Sequence, residues 1–329
     1  MSPRQQITAG ISVGLIAFFV CTAEGALLAG GDLFTYTSTS GDFYQLWVMA
    51  RSLLDRLNPY ALGCPVTPPC ADARQYYPLT AGVAILPFGL APAGFAGALF
   101  VGVCAGLLGY AVVHTGMWRA PMLLSWPFIV AVGNGQCAPL LVAAALLPGM
   151  QWLYPMKPQL GAALWIWRPS WRAVGLSLLL VALSLVLDPR WPVHWWAVAS
   201  KSPYVRSPIL DFAWFAPILL LAVLRWRTPE GRLLLAMAIL PQTPFAYDQL
   251  ALCLIPRTHR ESLTLTWLSW AAFGAWLAFT FDWQTREARF TTWAPYMIAF
   301  LFVPCLWMVL RRPNIPVVEE GAERDVVEG

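Results

Sequence analysis

Charged side chains are scarce in this sequence. Asp, Glu, Lys and Arg make up 12% of the 329 residues, whereas soluble domains carry roughly a quarter. Several long runs contain no charged residue: 5–23, 75–118, 120–156, 262–281 and 290–310. Because about 20 apolar residues span a bilayer, this scarcity excludes a soluble domain and indicates an integral membrane protein.

Other familiar patterns are also missing. The sequence has no HExxH motif, P-loop, GxSxG or GxGxxG, so soluble nucleotide chemistry has no support. It has no basic run, which argues against a nucleic-acid partner, and no internal repeat. We therefore predict a single transmembrane domain over 1–312, followed by an acidic cytoplasmic tail over 313–329. The first apolar segment is expected to remain as an anchor and not to be cleaved as a signal peptide.

Apolar segments and prolines predict the layout. We expect spans at about 8–30, 92–113, 120–133, 173–187, 209–224, 262–281 and 291–310, and an amphipathic interfacial helix at 42–57 in the first outer loop. Prolines divide 76–89, 137–167 and 233–256 into pieces too short to cross, and such broken helices usually line a cavity. The prediction is an all-α, polytopic membrane protein of about 9–11 transmembrane or broken helices.

Arginine clusters predict the orientation. If the clusters face the cytoplasm, the chain is a multi-pass protein of the cell membrane with both termini in the cytoplasm. The clusters are Arg168/Arg172, Arg225/Arg227/Arg232, Arg257/Arg260 and Arg311/Arg312. The loop 31–75, the turn 133–136 and the loop 188–207 then face outward, and most polar residues without an obvious structural role lie on that side. Within loop 31–75, Cys64 and Cys70 either form a disulfide or remain free thiols.

Asp42 has two interpretations. It precedes apolar residues at helical spacing and Gln45 follows three residues later, a pattern typical of a capping box. The same carboxylate could act as a general base if it reaches a substrate proton. Both roles are compatible, because helix N–H groups stabilise the ionised form.

Further candidates have structural alternatives as well. Lys157 lies in the most broken apolar region, where it either snorkels to the interface or meets an anion. The turn that contains Asn134 and Gln136 could simply connect two helices. Asp248 raises the same question as Lys157, and His194 could be part of an aromatic interfacial helix.

Four short motifs, in this order, resemble glycosyltransferase family 87, which belongs to the C superfamily of polyprenol-phosphate-sugar-dependent enzymes. The motifs are Gly41-Asp42-Phe43 with Ala50-Arg51 and Asn58-Pro59-Tyr60; Tyr76-Tyr77-Pro78-Leu79; Gly133-Asn134-Gly135-Gln136; and Lys157-Pro158-Gln159. The sequence departs from the family pattern at Leu79, where the family has a second proline, and in a shorter stretch between Gln136 and Lys157.

The resemblance implies an inverting transfer of a sugar from a polyprenyl-phosphate donor to a lipid or glycan acceptor on the outer face. Mannose is the sugar that we expect. Asp42 would be the general base, and Lys157, Gln136 and Asn134 would lie near the donor phosphate. Tyr77, His194, Asp248 and Arg51 would contact substrate. No metal or other cofactor is expected. Two alternatives remain: a secondary transporter, which also uses broken helices and buried charges, and a non-catalytic lipid-binding protein of the same fold.

Overall fold

The computed structural model describes residues 1–28, 41–60, 75–201, 206–211, 214–243, 246–282, 287–288 and 292–313. These residues form helices joined by short turns, and one antiparallel pair of two-residue strands, β1 (Phe281–Asp282) and β2 (Glu287–Ala288). The α-helices are α1 (Pro3–Leu28), α2 (Gly41–Leu54), α3 (Leu79–Ala84), α4 (Ala93–Thr115), α5 (Trp126–Gly133), α6 (Ala138–Leu146), α7 (Pro158–Trp167), α8 (Trp171–Leu187), α9 (Trp191–Ala199), α10 (Pro208–Asp211), α11 (Pro229–Ile239), α12 (His259–Thr280), α13 (Ala294–Met297) and α14 (Val303–Leu310).

Tighter 3₁₀ segments connect several of these helices: Leu86–Leu90, Met117–Leu124, Gln151–Met156, Ala216–Arg225 and Asp248–Leu254. A π-helical turn, Ile298–Phe302, joins α13 to α14. The predicted all-α class is therefore confirmed for the part of the chain that the structure describes, apart from the small strand pair.

Within the described residues, three helices are long and apolar enough to cross a membrane: the first part of α1 (Pro3–Ala23), α4 and α12. The α8–α9 pair, which bends by 102°, would be a fourth. The segments predicted as spans at 120–133 and 209–224 are not continuous helices, because each is divided between a 3₁₀ segment and a short α-helix. The apolar helices are consistent with a membrane protein, with fewer long spans than the sequence predicted.

Proline explains the broken regions. Pro127, Pro139 and Pro158 each occupy the first turn of a helix, where their missing N–H costs nothing. Pro121 and Pro155 lie inside 3₁₀ segments. The predicted division of 137–167 into short pieces is confirmed as α6, the segment Gln151–Met156 and α7.

Helix α1 packs along α4 through glycines. A Cβ added at Gly14 would lie 2.7 Å from the carbonyl oxygen of Gly102, and one added at Gly106 would lie 3.1 Å from that of Gly10. Small residues permit this close backbone approach, as in many membrane helix pairs. Elsewhere on α1, Ile11, Ile16 and other large apolar side chains are exposed, as expected of a helix that faces lipid.

Helix α2 buries one face against α3, the segment Leu86–Leu90 and α4. Phe43, Leu46 and Met49 are completely buried, and the ring of Phe43 stacks on Phe100 at 4.8 Å. Trp47 donates its indole N–H to the carbonyl of Ala91 at 2.9 Å. This packing fixes the first turn of α2 relative to the protein core.

Salt bridges join α11, α12 and the end of α14 on the face predicted to be cytoplasmic. Arg257 makes two hydrogen bonds to Glu230, at 2.8 and 2.7 Å. Glu261 binds Arg311 and also Arg312, the latter at 2.7 Å. Both arginines of the Arg311/Arg312 cluster, together with Arg257, therefore hold helices together.

The predicted Cys64–Cys70 pair lies outside the described residues, as do residues 314–329 of the predicted tail. The described cysteines, Cys21, Cys104, Cys137, Cys253 and Cys305, are buried, as expected for small apolar core residues.

Candidate functional site

The Asp42 carboxylate lies at a meeting point of three segments that are distant in sequence. Its Oδ2 accepts a hydrogen bond from the side-chain amide of Gln136 and another, at 3.2 Å, from the hydroxyl of Tyr247. No hydrogen bond from the described residues reaches the other oxygen, Oδ1. The carboxylate is thus held on one side and left with an oxygen able to accept a proton.

The predicted capping box is not formed. Helix α2 begins at Gly41, so Asp42 lies in the first turn and not at the N-cap. The Asp42 backbone N–H donates to the carbonyl of Asn134 at 3.2 Å, and Gln45 Oε1 is buried without a hydrogen-bond partner in the described structure. Asp42 uses its side chain for contacts across the fold, although its place in the first turn still favours the ionised form.

The turn before α6 positions Gln136, which donates a hydrogen bond to Asp42. Gly135 has a φ of 61°, which glycine adopts readily, and Gln136 donates its N–H back to Ala131 at 2.8 Å. The Gln136 side chain is buried, and its Oε1 accepts a hydrogen bond from the Tyr77 hydroxyl at 3.1 Å. Tyr77 and Gln136 therefore fix the position of the Asp42 carboxylate.

Lys157 is buried and does not snorkel, so that alternative is wrong. Its ammonium forms an ion pair with Asp248 Oδ1 at 2.6 Å and lies 4.5 Å from the centre of the Tyr247 ring. Pro158 starts α7 directly after Lys157, which directs the lysine into the interior at a helix start. The anion that Lys157 contacts in this structure is a carboxylate of the same chain, that of Asp248.

Asp248 is completely buried and begins the 3₁₀ segment Asp248–Leu254. Its Oδ2 accepts the backbone N–H of Thr243 at 3.2 Å. The preceding residue, Tyr247, joins the two halves of the site, because its hydroxyl contacts Asp42 while its ring contacts Lys157. Nothing in the sequence singled out Tyr247 for this role.

The electrostatic environment of Asp42 suits a base. Burial raises the pKa of this carboxyl above its ordinary value of 3.8, and the positive charge of Lys157 and the Tyr247 hydrogen bond act against that rise. A carboxylate with a raised pKa holds a transferred proton better than an ordinary one.

Three predicted residues lie away from this cluster. Arg51 is partly exposed and pairs at 2.9 Å with Asp55, which lies just past the end of α2. The Asn134 side chain is exposed and donates to Val130 at 2.9 Å, so only its backbone carbonyl serves the site. His194 lies 3.6 Å from Asp188 and beside the ring of Tyr60, in an aromatic group next to the Tyr76–Tyr77 stretch.

An apolar groove adjoins the segment that carries Lys157. Its volume is about 330 Å³, and its lining includes Pro78, Tyr154, Pro158, Trp165 and Trp191. Among the residues that the structure describes, no group of three or more His, Cys, Asp or Glu side chains could hold a metal ion. The candidate site therefore combines one partly exposed carboxylate, a buried ion pair and an adjoining greasy surface.

The chain matches no family model, no curated protein sequence and no solved structure. The resemblance to glycosyltransferase family 87 accordingly stays a prediction.

Proposed function

We propose that this chain is an integral-membrane glycosyltransferase that moves a sugar from a polyprenyl-phosphate donor to a hydroxyl of a lipid or glycan acceptor, with Asp42 as general base. The observation that carries the proposal is the convergence of Asp42, Gln136, Tyr247 and Lys157 from four separate segments. This cluster unites residues from three of the four motifs that suggested the family, those at 41–43, 133–136 and 157–159.

The proposed step needs a proton acceptor beside the attacking hydroxyl. Asp42 Oδ1 would take the proton from the acceptor O–H as that oxygen attacks the anomeric carbon of the donor sugar. The bond between this carbon and the phosphate oxygen breaks, and its electron pair leaves with polyprenyl phosphate. Attack from the opposite side inverts the configuration at the anomeric carbon.

The charge that develops on the leaving phosphate needs a cation. The Lys157 ammonium is the cation of this cluster, and its contact with the Tyr247 ring keeps it close to the base. The groove lined by Tyr154, Pro158 and Trp165 begins at the same segment, and its apolar lining suits the first isoprene units of a lipid-borne donor. A phosphate at Lys157 and a lipid chain in this groove would place the sugar near Asp42.

The testing experiment incubates purified protein in lipid nanodiscs with a panel of polyprenyl-phospho-sugars, mannose first, and candidate acceptors. Release of polyprenyl phosphate that depends on both acceptor and Asp42 supports the proposal. EDTA should leave the rate unchanged, because the proposed step uses no metal. Saturable donor binding without release by any pair would instead support a non-catalytic lipid-binding protein.

A secondary transporter is the second candidate, and a specific observation favours it. The buried pair Lys157–Asp248 connects two broken regions, and buried ionisable pairs also serve proton relays in transporters. Proteoliposomes under a proton gradient distinguish the two functions: gradient-driven uptake of solute without release of polyprenyl phosphate would favour transport.

A further inference from the structure

Lys157 already has a counter-ion. Its ammonium contacts Asp248 Oδ1 at 2.6 Å, and both side chains are buried. A buried ion pair of this length is a strong contact, since water does not compete for either partner. A donor phosphate therefore cannot use Lys157 fully while Asp248 remains in place.

The negative charges around Lys157 also oppose the binding of a phosphate. Lys157 interacts electrostatically with both Asp42 and Asp248, so a single ammonium faces two carboxylates. An arriving phosphate would add a third anionic group around that ammonium, and repulsion between like charges opposes this arrangement. The repulsion falls if one carboxylate gives up its contact with the lysine.

Asp248 is the carboxylate placed to do so. Its second oxygen accepts the Thr243 backbone N–H at 3.2 Å, a partner that stays available when the lysine contact is lost. Asp42, by contrast, is held by the neutral donors Gln136 and Tyr247. The two carboxylates thus have different partners, and only Asp248 occupies the position on the ammonium that a phosphate oxygen would take.

We infer that Asp248 is an internal counter-ion, which neutralises Lys157 in the donor-free protein and yields the ammonium to the donor phosphate. Asp248 regains Lys157 as polyprenyl phosphate departs, so it limits phosphate affinity and speeds product release. This inference rests on the proposed function, because it identifies Lys157 as the phosphate site.

The test compares binding of farnesyl phosphate, a short polyprenyl phosphate, with binding of uncharged farnesol. The parent, Asp248→Asn and Asp248→Glu proteins are titrated in detergent. Asp248→Asn leaves Lys157 without its competing anion, so we expect it to bind farnesyl phosphate at least about tenfold more tightly, since close charge pairs couple by more than the equivalent of one decade. Farnesol affinity should not change, and Asp248→Glu, which keeps the competing charge, should show no gain.

Thermal unfolding provides a second readout on the same samples. The isolated buried lysine should lower the melting temperature of Asp248→Asn, and farnesyl phosphate should raise it more than it raises that of the parent. A folded Asp248→Asn protein that binds farnesyl phosphate no more tightly than the parent would overturn the inference.

An infrared measurement applies if Asp248→Asn does not fold. In the Asp42→Asn background, Asp248 remains the carboxylate of the site, and farnesyl phosphate should change its stretching bands whereas farnesol should not. Saturable phosphate binding without a carboxylate change would refute the inference alone. Failure of the parent protein to bind farnesyl phosphate at all would refute the proposed function itself.

Discussion

Replacing Asp42 by Asn is the most direct test of the proposed base. The amide has almost the same shape as the carboxylate, and its oxygen can still accept the hydrogen bonds that Gln136 and Tyr247 now donate to Oδ2. At working pH the amide cannot accept a proton from an attacking hydroxyl. The substitution therefore removes the proposed chemistry and keeps the contacts.

The structural cost can be bounded from these contacts. Two hydrogen bonds change from a charged to a neutral acceptor, and each loses about 1 kcal/mol. The loss is partly offset, because the raised pKa of Asp42 shows that burial already disfavours its ionised form. We expect the free energy of unfolding to fall by less than about 2 kcal/mol, which leaves a folded protein.

The catalytic cost should be larger. Loss of a positioned general base typically lowers a rate by about 10²–10⁴-fold, which corresponds to about 2.7–5.4 kcal/mol in the activation barrier. Donor binding should persist, because the proposed phosphate contact is Lys157. A large loss of rate with only a small loss of unfolding free energy would therefore indicate a chemical role for Asp42 and not a structural one.

The assay measures polyprenyl phosphate released per minute and donor affinity, on protein whose folding is checked by thermal unfolding. Asp55→Asn is the matched control, because Asp55 lies just after the same helix but pairs only with the partly exposed Arg51 in the described structure. The control should transfer sugar normally. Near-normal transfer by Asp42→Asn would refute the base assignment and leave Asp42 as a brace for its helix.

Three further expectations follow from the same structure. Lys157→Met removes the charge that lowers the pKa of Asp42, so the acid limb of the kcat/KM profile should move to higher pH; an unmoved limb would contradict the electrostatic link. Gly14→Val places a Cβ 2.7 Å from a carbonyl oxygen of α4, whereas the Cβ of Gly274→Val would meet no atom within 4 Å. We therefore expect only Gly14→Val to lower the melting temperature by several degrees. Burial acts to raise the pKa of Glu230, but its arginine hydrogen bonds and ion pair hold it below the ordinary 4.5. Its stabilising contribution should therefore be complete above pH 4.5 and disappear as the pH falls through the lower folded pKa; a Glu230→Gln variant with an unchanged unfolding profile between pH 6 and 3 would contradict this.

Local patterns predicted several individual helices and breaks. The apolar spacing over 42–57 predicted α2, which covers Gly41–Leu54, and the charge-free run after Pro92 predicted α4. Prolines predicted the breaks in 137–167, because a missing N–H acts on its own turn. These features depend on neighbours a few residues away, and a single sequence records them.

Contacts across the fold could not be predicted in the same way. The sequence raised the same question about Lys157 and Asp248, but nothing in their 91-residue separation indicated that they pair. The capping-box pattern at Asp42 and Gln45 was misleading, because the side chain of Asp42 found partners in Gln136 and Tyr247. Which partner a side chain takes depends on the packing of several helices. A capping box is a local pattern, and nothing in it indicates that contacts from distant segments will replace its hydrogen bonds.

The two aspartates of the site differ in what they can do, although they lie around the same lysine. Asp248 is fully buried, and its two oxygens are engaged by the Lys157 ammonium and the Thr243 N–H. A hydroxyl would have to displace one of these partners to reach it. Asp42 is partly exposed and keeps Oδ1 free of hydrogen bonds from the described residues. Its pKa is raised by the surrounding protein. Where environments separate a pair of carboxylates in this way, the accessible one with the raised pKa is the better proton acceptor and the paired one the fixed charge. The geometry therefore favours Asp42 as the base and Asp248 as its electrostatic complement, irrespective of which sugar or acceptor the protein uses.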